Sequence, residues 1–313
     1  MIKGKNSLLI AYIALGVVCV VWGTTYLALR VAVTQFPPFL FSLLRFIPAG
    51  SILILFMLLV GKVPFPKKDN IINQAVGGFF MITLGISVVG WAETYISSGL
   101  AAIICSVMPI WTILINFTLN RNEKPNLLIA LGLLAGLAGI IFIFGEHLSE
   151  FSSARYTFAI IITFIANISW ALGSVWIKKK NQESNPFLNA GLQMFFGGLF
   201  LIPLSLLLDD YKTIQWSGEV LISLAYLILI GSVAGYACYS YAIKKLPMTI
   251  VSLYAYINPI VAVLLGWLIL SEKLNVKIVL SILVTIAGIY LVNRGYNYKQ
   301  TKKVNVTTKS SKI

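Results

Sequence analysis

Arg45 is a basic side chain inside an apolar run, Pro38 to Val60, about eight residues or ~12 Å of helix from the nearer end. At that depth in lipid a charge costs about 3 kcal/mol or more unless it is paired or wetted, and such residues mark internal paths for ligands and ions. Two readings follow: a functional group facing an internal cavity, or a structural arginine bonded to the broken ends of neighbouring helices. Glu93 lies near the end of the next run, on the side to which Arg45 is nearer. An ion pair between them, rearranged by substrate or by protonation, would make Glu93 a candidate for proton coupling. The alternative for Glu93 is an interfacial carboxylate solvated by water.

Trp22 and Trp170 sit deep in their runs, where an indole N–H must find a partner away from water. As aromatic walls on either side of a cavity they would suit apolar or cationic parts of a ligand; as core residues they would simply pack. Asn258 is polar at membrane depth beside Pro259, which interrupts its own helix ladder. Pro109 and Pro259 are either bending points or static kinks. Tyr236, Tyr239 and Tyr241 give one run a polar edge, while Trp91, Tyr226 and Tyr254 read as belt or core residues.

Other chemistries find little support. His147, the only histidine, falls with Glu146 and Glu150 in an expected loop, and one imidazole with flexible carboxylates does not close a metal shell. Cys19, Cys105 and Cys238 lie far apart in apolar runs, so they read as small core residues. No Gly-rich Lys-Ser/Thr phosphate loop occurs, which argues against ATP hydrolysis. Neither cofactor nor metal is expected. The formal charge of +14 is gathered by loop and not into one stripe, so nucleic acid is not the expected partner.

The elements that must hold these residues are membrane helices. The chain is 58% hydrophobic and 11% charged, with a mean hydropathy of +0.90, so its main solvent is lipid. Crossing a core of ~30 Å takes ~20 apolar residues. Ten runs qualify: Leu8 to Leu29, Pro38 to Val60, Ile71 to Tyr95, Leu100 to Leu119, Leu127 to Phe144, Tyr156 to Ile177, Phe187 to Leu208, Val220 to Ile243, Thr249 to Leu270 and Val276 to Val292. The first is too long for a signal-peptide core and lacks a cleavage pattern, so it is expected to be retained. With the N-terminus (1–7) in the cytoplasm, 18 of the 24 Lys and Arg residues fall on the cytoplasmic side and five on the other, which places both termini inside. The basic tail, 293–313, is too polar to fold alone and is expected to lie against anionic headgroups. Nothing in the sequence specifies an oligomeric state.

Positions about 148 apart resemble one another. Trp22 matches Trp170, Pro38-Phe39-Leu40 matches Pro186-Phe187-Leu188, and Ala49-Gly50 matches Gly197-Gly198. With one residue of drift, Glu123-Lys124-Pro125-Asn126 matches Glu272-Lys273-Leu274-Asn275, and Ala138-Gly139-Ile140 matches Ala287-Gly288-Ile289. Pro109 pairs with Pro259. Two five-helix repeats follow, 8–144 and 156–292, joined by an outer linker at 145–155. An odd number of spans per repeat forces the second to enter from the opposite side, so the expected fold is an all-α membrane protein of two inverted repeats, an architecture common among secondary transporters. Gly132, Gly136 and Gly139 against Ser281, Thr285 and Gly288 are expected to allow close helix packing. If Tyr95 is matched to Tyr241, Glu93 corresponds to the neutral Tyr239.

These features together resemble the EamA-type drug/metabolite transporter superfamily. The residues that carry the resemblance are Trp22-Gly23, Pro38 with Arg45, the stretch from Glu93 to Ala102 leading to Pro109, and Glu123-Lys124, and it covers residues 8 to 292. The resemblance implies a secondary carrier of small molecules, often an exporter of amino acids or related metabolites, with a central cavity between its halves. Two departures stand out. Ala171 follows Trp170 where the first half has glycine, and Gln193 stands at the place of Arg45. The first run also lacks the glutamate on which four-helix multidrug exporters rely for proton coupling. The expected substrate-binding set is Trp22, Arg45, Glu93, Trp170, Gln193, Tyr239 and Asn258. Competing classes are a membrane-embedded lipid-processing enzyme, which would need intramembrane His, Asp or Cys groups that act together, and a non-transporting partner protein, which would have a core without a polar chamber.

Overall fold

An apolar backbone in lipid must satisfy every amide within the segment, so long apolar runs fold as helices. The computed structural model describes residues 2–96, 98–119, 126–144, 154–180, 184–270 and 276–310. Among these no strand occurs. Seven helices are long and apolar enough to cross a membrane: α1 (Asn6–Val33), α2 (Pro38–Val60), α3 (Lys68–Ala92), α6 (Ala154–Lys180), α7 (Pro186–Leu208), α8 (Gly218–Lys245) and α10 (Val276–Tyr296). Three shorter apolar helices are α4 (Leu100–Asn116), α5 (Leu127–Phe142) and α9 (Met248–Val261). Each of the predicted runs overlaps one of these helices, seven of them at membrane-crossing length. The helical backbone of α10 continues through the basic tail to Ser310. The Glu123-Lys124-Pro125 and Glu272 to Asn275 matches, and His147 with Glu146 and Glu150, lie outside the described residues.

The two halves interlock. The first helix of one, α1, packs on α8 and α9 of the other, and α6 packs reciprocally on α3 and α4. The closest approaches are made by glycines. A Cβ at Gly50 would fall 2.5 Å from Phe195 N, and one at Gly198 would fall 3.0 Å from Ile47 N. Since Gly50 matches Gly198 and Ile47 matches Phe195, the α2–α7 contact is reciprocal. Along it Ile54 meets Gly191, Gly50 meets Phe195 and Ile47 meets Gly198, so the two helices run antiparallel. The α5–α10 pair repeats this arrangement: Gly139 meets Thr285 and Ser281, while Gly288 meets Gly136 and Gly132.

Three helices are locally widened, α2 by a short π-helical stretch at Phe56–Val60. π-helical stretches occupy Phe79–Ile86 in α3 and Leu227–Ala234 in α8, offset by 148 residues at both ends. Helical register carried on from them pairs Glu93 with Tyr241 and not with Tyr239. In contrast, α4 and α9 are interrupted, at Ser106–Val107 and Ser252–Leu253. Both breaks precede the prolines. Pro109 falls in the first turn of the segment Met108–Leu119, where a missing N–H costs nothing, while Pro259 is interior to its segment.

The matched amides at the starts of α2 and α7 are capped differently. Asn185 Oδ1 accepts from Phe187 N and Leu188 N at 2.9 and 3.1 Å, a local cap. The corresponding Phe39 N and Leu40 N donate instead to Asp209, at 3.3 and 2.7 Å, from the far end of α7. Half-burial pushes the Asp209 carboxyl above the usual range, outweighing the bonds from Ser205, Leu40 and Phe39 that hold it down. The folded state therefore binds this proton more tightly than the unfolded chain does, and this group's contribution to stability falls as pH rises through that window. Asp209→Ala is expected to cost about 0.5–2 kcal/mol through the lost cap. Thermal unfolding at neutral pH, compared with Asp210→Ala, checks this.

Candidate functional site

Between the halves lies a cavity of about 100 Å³. Trp22 and Tyr26 of α1, Arg45 of α2 and Val89 of α3 wall it from the first half, with Cys105 and Met108 of α4. Asn167 and Trp170 of α6, with Tyr254 and Asn258 of α9, complete it from the second. Four residues singled out from the sequence, Trp22, Arg45, Trp170 and Asn258, thus line one cavity.

Arg45 is 4% exposed. Its Nε donates to Ser232 Oγ at 2.8 Å, and its guanidinium carbon stands 4.5 Å from the centre of the Phe46 ring. Ser232 belongs to the π-helical stretch of α8. A π stretch shifts the helix ladder by one residue, and such shifts recur at functional sites. The π stretches of α8 and α3 each accept from a neighbour: Gly231 O takes the Trp22 indole N–H at 3.0 Å, and Phe80 O takes the Ser169 hydroxyl at 2.7 Å. The required partner for the Trp22 indole is thus a backbone carbonyl.

Trp22 and Trp170 do not face each other across open space. Their rings meet edge to face, with centroids 5.5 Å apart, and Tyr239 packs against both at 4.9 and 5.5 Å. Tyr236 and Tyr254 extend the cluster. Aromatic pairs of this kind contribute about 0.5–1.5 kcal/mol each beyond their buried area. Tyr239 is fully buried, and its hydroxyl bonds the Ser174 hydroxyl at 2.8 Å. It stands one layer behind the cavity wall.

Gln193 also lies off the wall. It donates to Gln74 Oε1 at 2.6 Å and accepts from the Tyr236 hydroxyl at 2.7 Å, so its polarity is spent within the core. Asn258, with its amide oriented to suit its surroundings, donates to the carbonyls of Tyr254 and Cys19 at 3.0 Å and ties α9 to α1.

Glu93 has no exposed surface, so a water-solvated interfacial carboxylate does not describe it. Neither carboxylate oxygen has a hydrogen-bond partner among the described residues, and the guanidinium groups of Arg30 and Arg45 act on it electrostatically. Tyr26 and Cys105, hydrogen-bonded to each other, line the cavity and interact electrostatically with Glu93. Tyr26, Asn167 and Tyr254 were not among the expected binding residues. Asn167 carried a usable signal, a carboxamide at mid-span; its Nδ2 donates to Ile104 O at 3.3 Å, a carbonyl just before the break in α4.

A polytopic helical chain whose two interlocked halves share a partly polar cavity has the form of a membrane transporter, and its family and relatives make it a multi-pass plasma-membrane protein of that class. The profile of the EamA-like transporter family matches residues 9–145 and again residues 157–294, and the chain belongs to that family. It is similar to the inner membrane transporter YedA of Escherichia coli (strain K12), with 31% identity over 93% of this chain and 92% of that one. Similarity extends to the transporter YoaV of Bacillus subtilis (strain 168), at 24% identity over 89% and 96% of the two chains. A solved crystal structure at 17% identity superposes with a TM-score of 0.74, covering 92% of this chain and 96% of that one, and shares its fold.

Proposed function

We propose that this transporter is a secondary carrier that exports amino acids or related small metabolites by alternating access. The observation that carries the reading is the cavity between the halves, which joins a buried guanidinium, two carboxamides and several aromatic rings. A guanidinium in a dry site favours a carboxylate, through charge-assisted bonds that are about twice as strong as neutral ones. Aromatic walls favour an apolar body. Substrate enters contact with Trp22, Arg45, Trp170 and Asn258. Glu93, set among Arg30 and Arg45, is the coupling group, while Gln193 and Tyr239 support the wall from behind.

The chain crosses the membrane ten times, as two inverted repeats, 8–144 and 156–292, with a linker at 145–155 outside and both termini in the cytoplasm. Reciprocal antiparallel contacts of α2 with α7 and α5 with α10 support this topology. The basic residues gathered on one side support the orientation. Rocking about these glycine contacts exposes the cavity alternately, and the breaks ahead of Pro109 and Pro259 serve as hinges.

The test is efflux of preloaded radiolabelled amino acids and toxic analogues from expressing cells, with and without a proton gradient. Export of a carboxylate-bearing compound above the vector control, diminished when the gradient is collapsed, is the expected result. A panel whose efflux is unchanged by expression overturns the reading for these substrates.

A further inference from the structure

A second pocket, of about 320 Å³, lies where the last turns of α6 and α8 meet the first turn of α7. Three lysines line it, Lys178, Lys244 and Lys245, together with Asn189 and Ser240. Among the described residues no acidic side chain does. Lys178 is anchored: its ammonium donates to the carbonyls of Ile243 at 2.5 Å, Leu246 at 2.9 Å and Lys244 at 3.4 Å, fixing one charge at the C-terminal end of α8. Lys244 reaches Ser184 O at 2.5 Å, so a second charge is held in place, while Lys245 stays exposed. Pro186 opens α7 here, with the first amides of that helix, Phe187 N and Leu188 N, held by Asn185 Oδ1.

The depth of the pocket is marked by its neighbours. Lys180 stands over the Trp176 ring at 5.1 Å, an arrangement typical of the boundary between hydrocarbon and headgroups. Phe187 and Tyr241 stack in parallel beside it, 5.8 Å apart. Basic pockets between helices at that level take anionic headgroups. Clustered ammonium groups suit a phosphate, which needs point charges more than a planar fork.

We propose that this pocket binds a phosphate group, presented by an anionic phospholipid headgroup or by a soluble phosphate. The site is separate from the central cavity: none of its lining residues lines that cavity.

The full chain, purified in neutral detergent, is unfolded thermally with added phosphatidylglycerol, with phosphatidylcholine, or with inorganic phosphate at matched ionic strength. Phosphatidylglycerol is expected to raise Tm by about 4 °C or more, and phosphatidylcholine to leave it unchanged. The rise is expected to vanish in Lys244→Gln/Lys245→Gln and to persist in Lys62→Gln/Lys67→Gln, whose lysines are exposed elsewhere. A rise with inorganic phosphate that depends on the same two lysines assigns the site to a soluble ligand. The lipid comparison on the unaltered chain reads the site even where the double variant does not fold. Equal responses to both lipids with none to phosphate, or a response indifferent to Lys244 and Lys245, overturns the proposal.

Discussion

Arg45→Ala lowers efflux about 10- to 100-fold, the expected consequence of losing one charge-assisted hydrogen bond of about 1.5–3 kcal/mol to the substrate. The guanidinium is the only cationic group on the cavity wall among the described residues, so nothing else there replaces it. Ser232→Ala separates positioning from binding: it removes the bond at Nε and leaves the charge, and efflux falls only a few-fold. Arg45→Lys is not a conservative change, because an ammonium cannot bond Ser232 and present a planar fork at once. Efflux rates normalised to membrane-inserted protein decide the matter. An Arg45→Ala variant that exports as fast as the parent would remove Arg45 from the site.

Gly288→Ala destabilises the fold by about 1–3 kcal/mol or more. The added methyl would meet Gly136 N and, at 2.6 Å, Gly132 O, both backbone atoms that no rotamer change can clear. Gly16→Ala is the contrast, since a methyl there meets nothing within 4 Å. It leaves Tm unchanged or higher. Thermal unfolding of both variants in the same detergent reads the difference, and equal Tm values would mean that α5 and α10 do not pack as described.

The helical elements were legible because lipid leaves the backbone almost no alternative, and hydropathy alone marks each of them. Arg45 and Asn258 were legible by the same physics, since a polar side chain at membrane depth needs an internal partner. Trp22 and Trp170 stood out through the repeat, but their mutual contact did not, because pair geometry depends on how α1 and α6 cross. Gln193 shows the converse. It read as a site residue from its depth and its match to Arg45, yet Gln74, a second polar residue on α3, satisfies it within the core. The π-helical stretches had no signal in composition: all are mainly apolar, and one residue of extra ladder leaves hydropathy unchanged. The breaks in α4 and α9 were foreshadowed by prolines but fall ahead of them, near Ser106 and Ser252.

The reciprocal glycine contacts bear on how such a chain arises. Because Gly50 and Gly198 each meet the other half's counterpart of the same partner, the surface on α2 is complementary to an inverted copy of itself, as in an isologous interface. An ancestral five-helix polypeptide, inserted in both orientations, would already have carried both sides of the joint. Fusion of two such copies would then free the halves to diverge: Arg45 and Glu93 stand on one side only, while the glycines that hold the joint together stay tied to their partners.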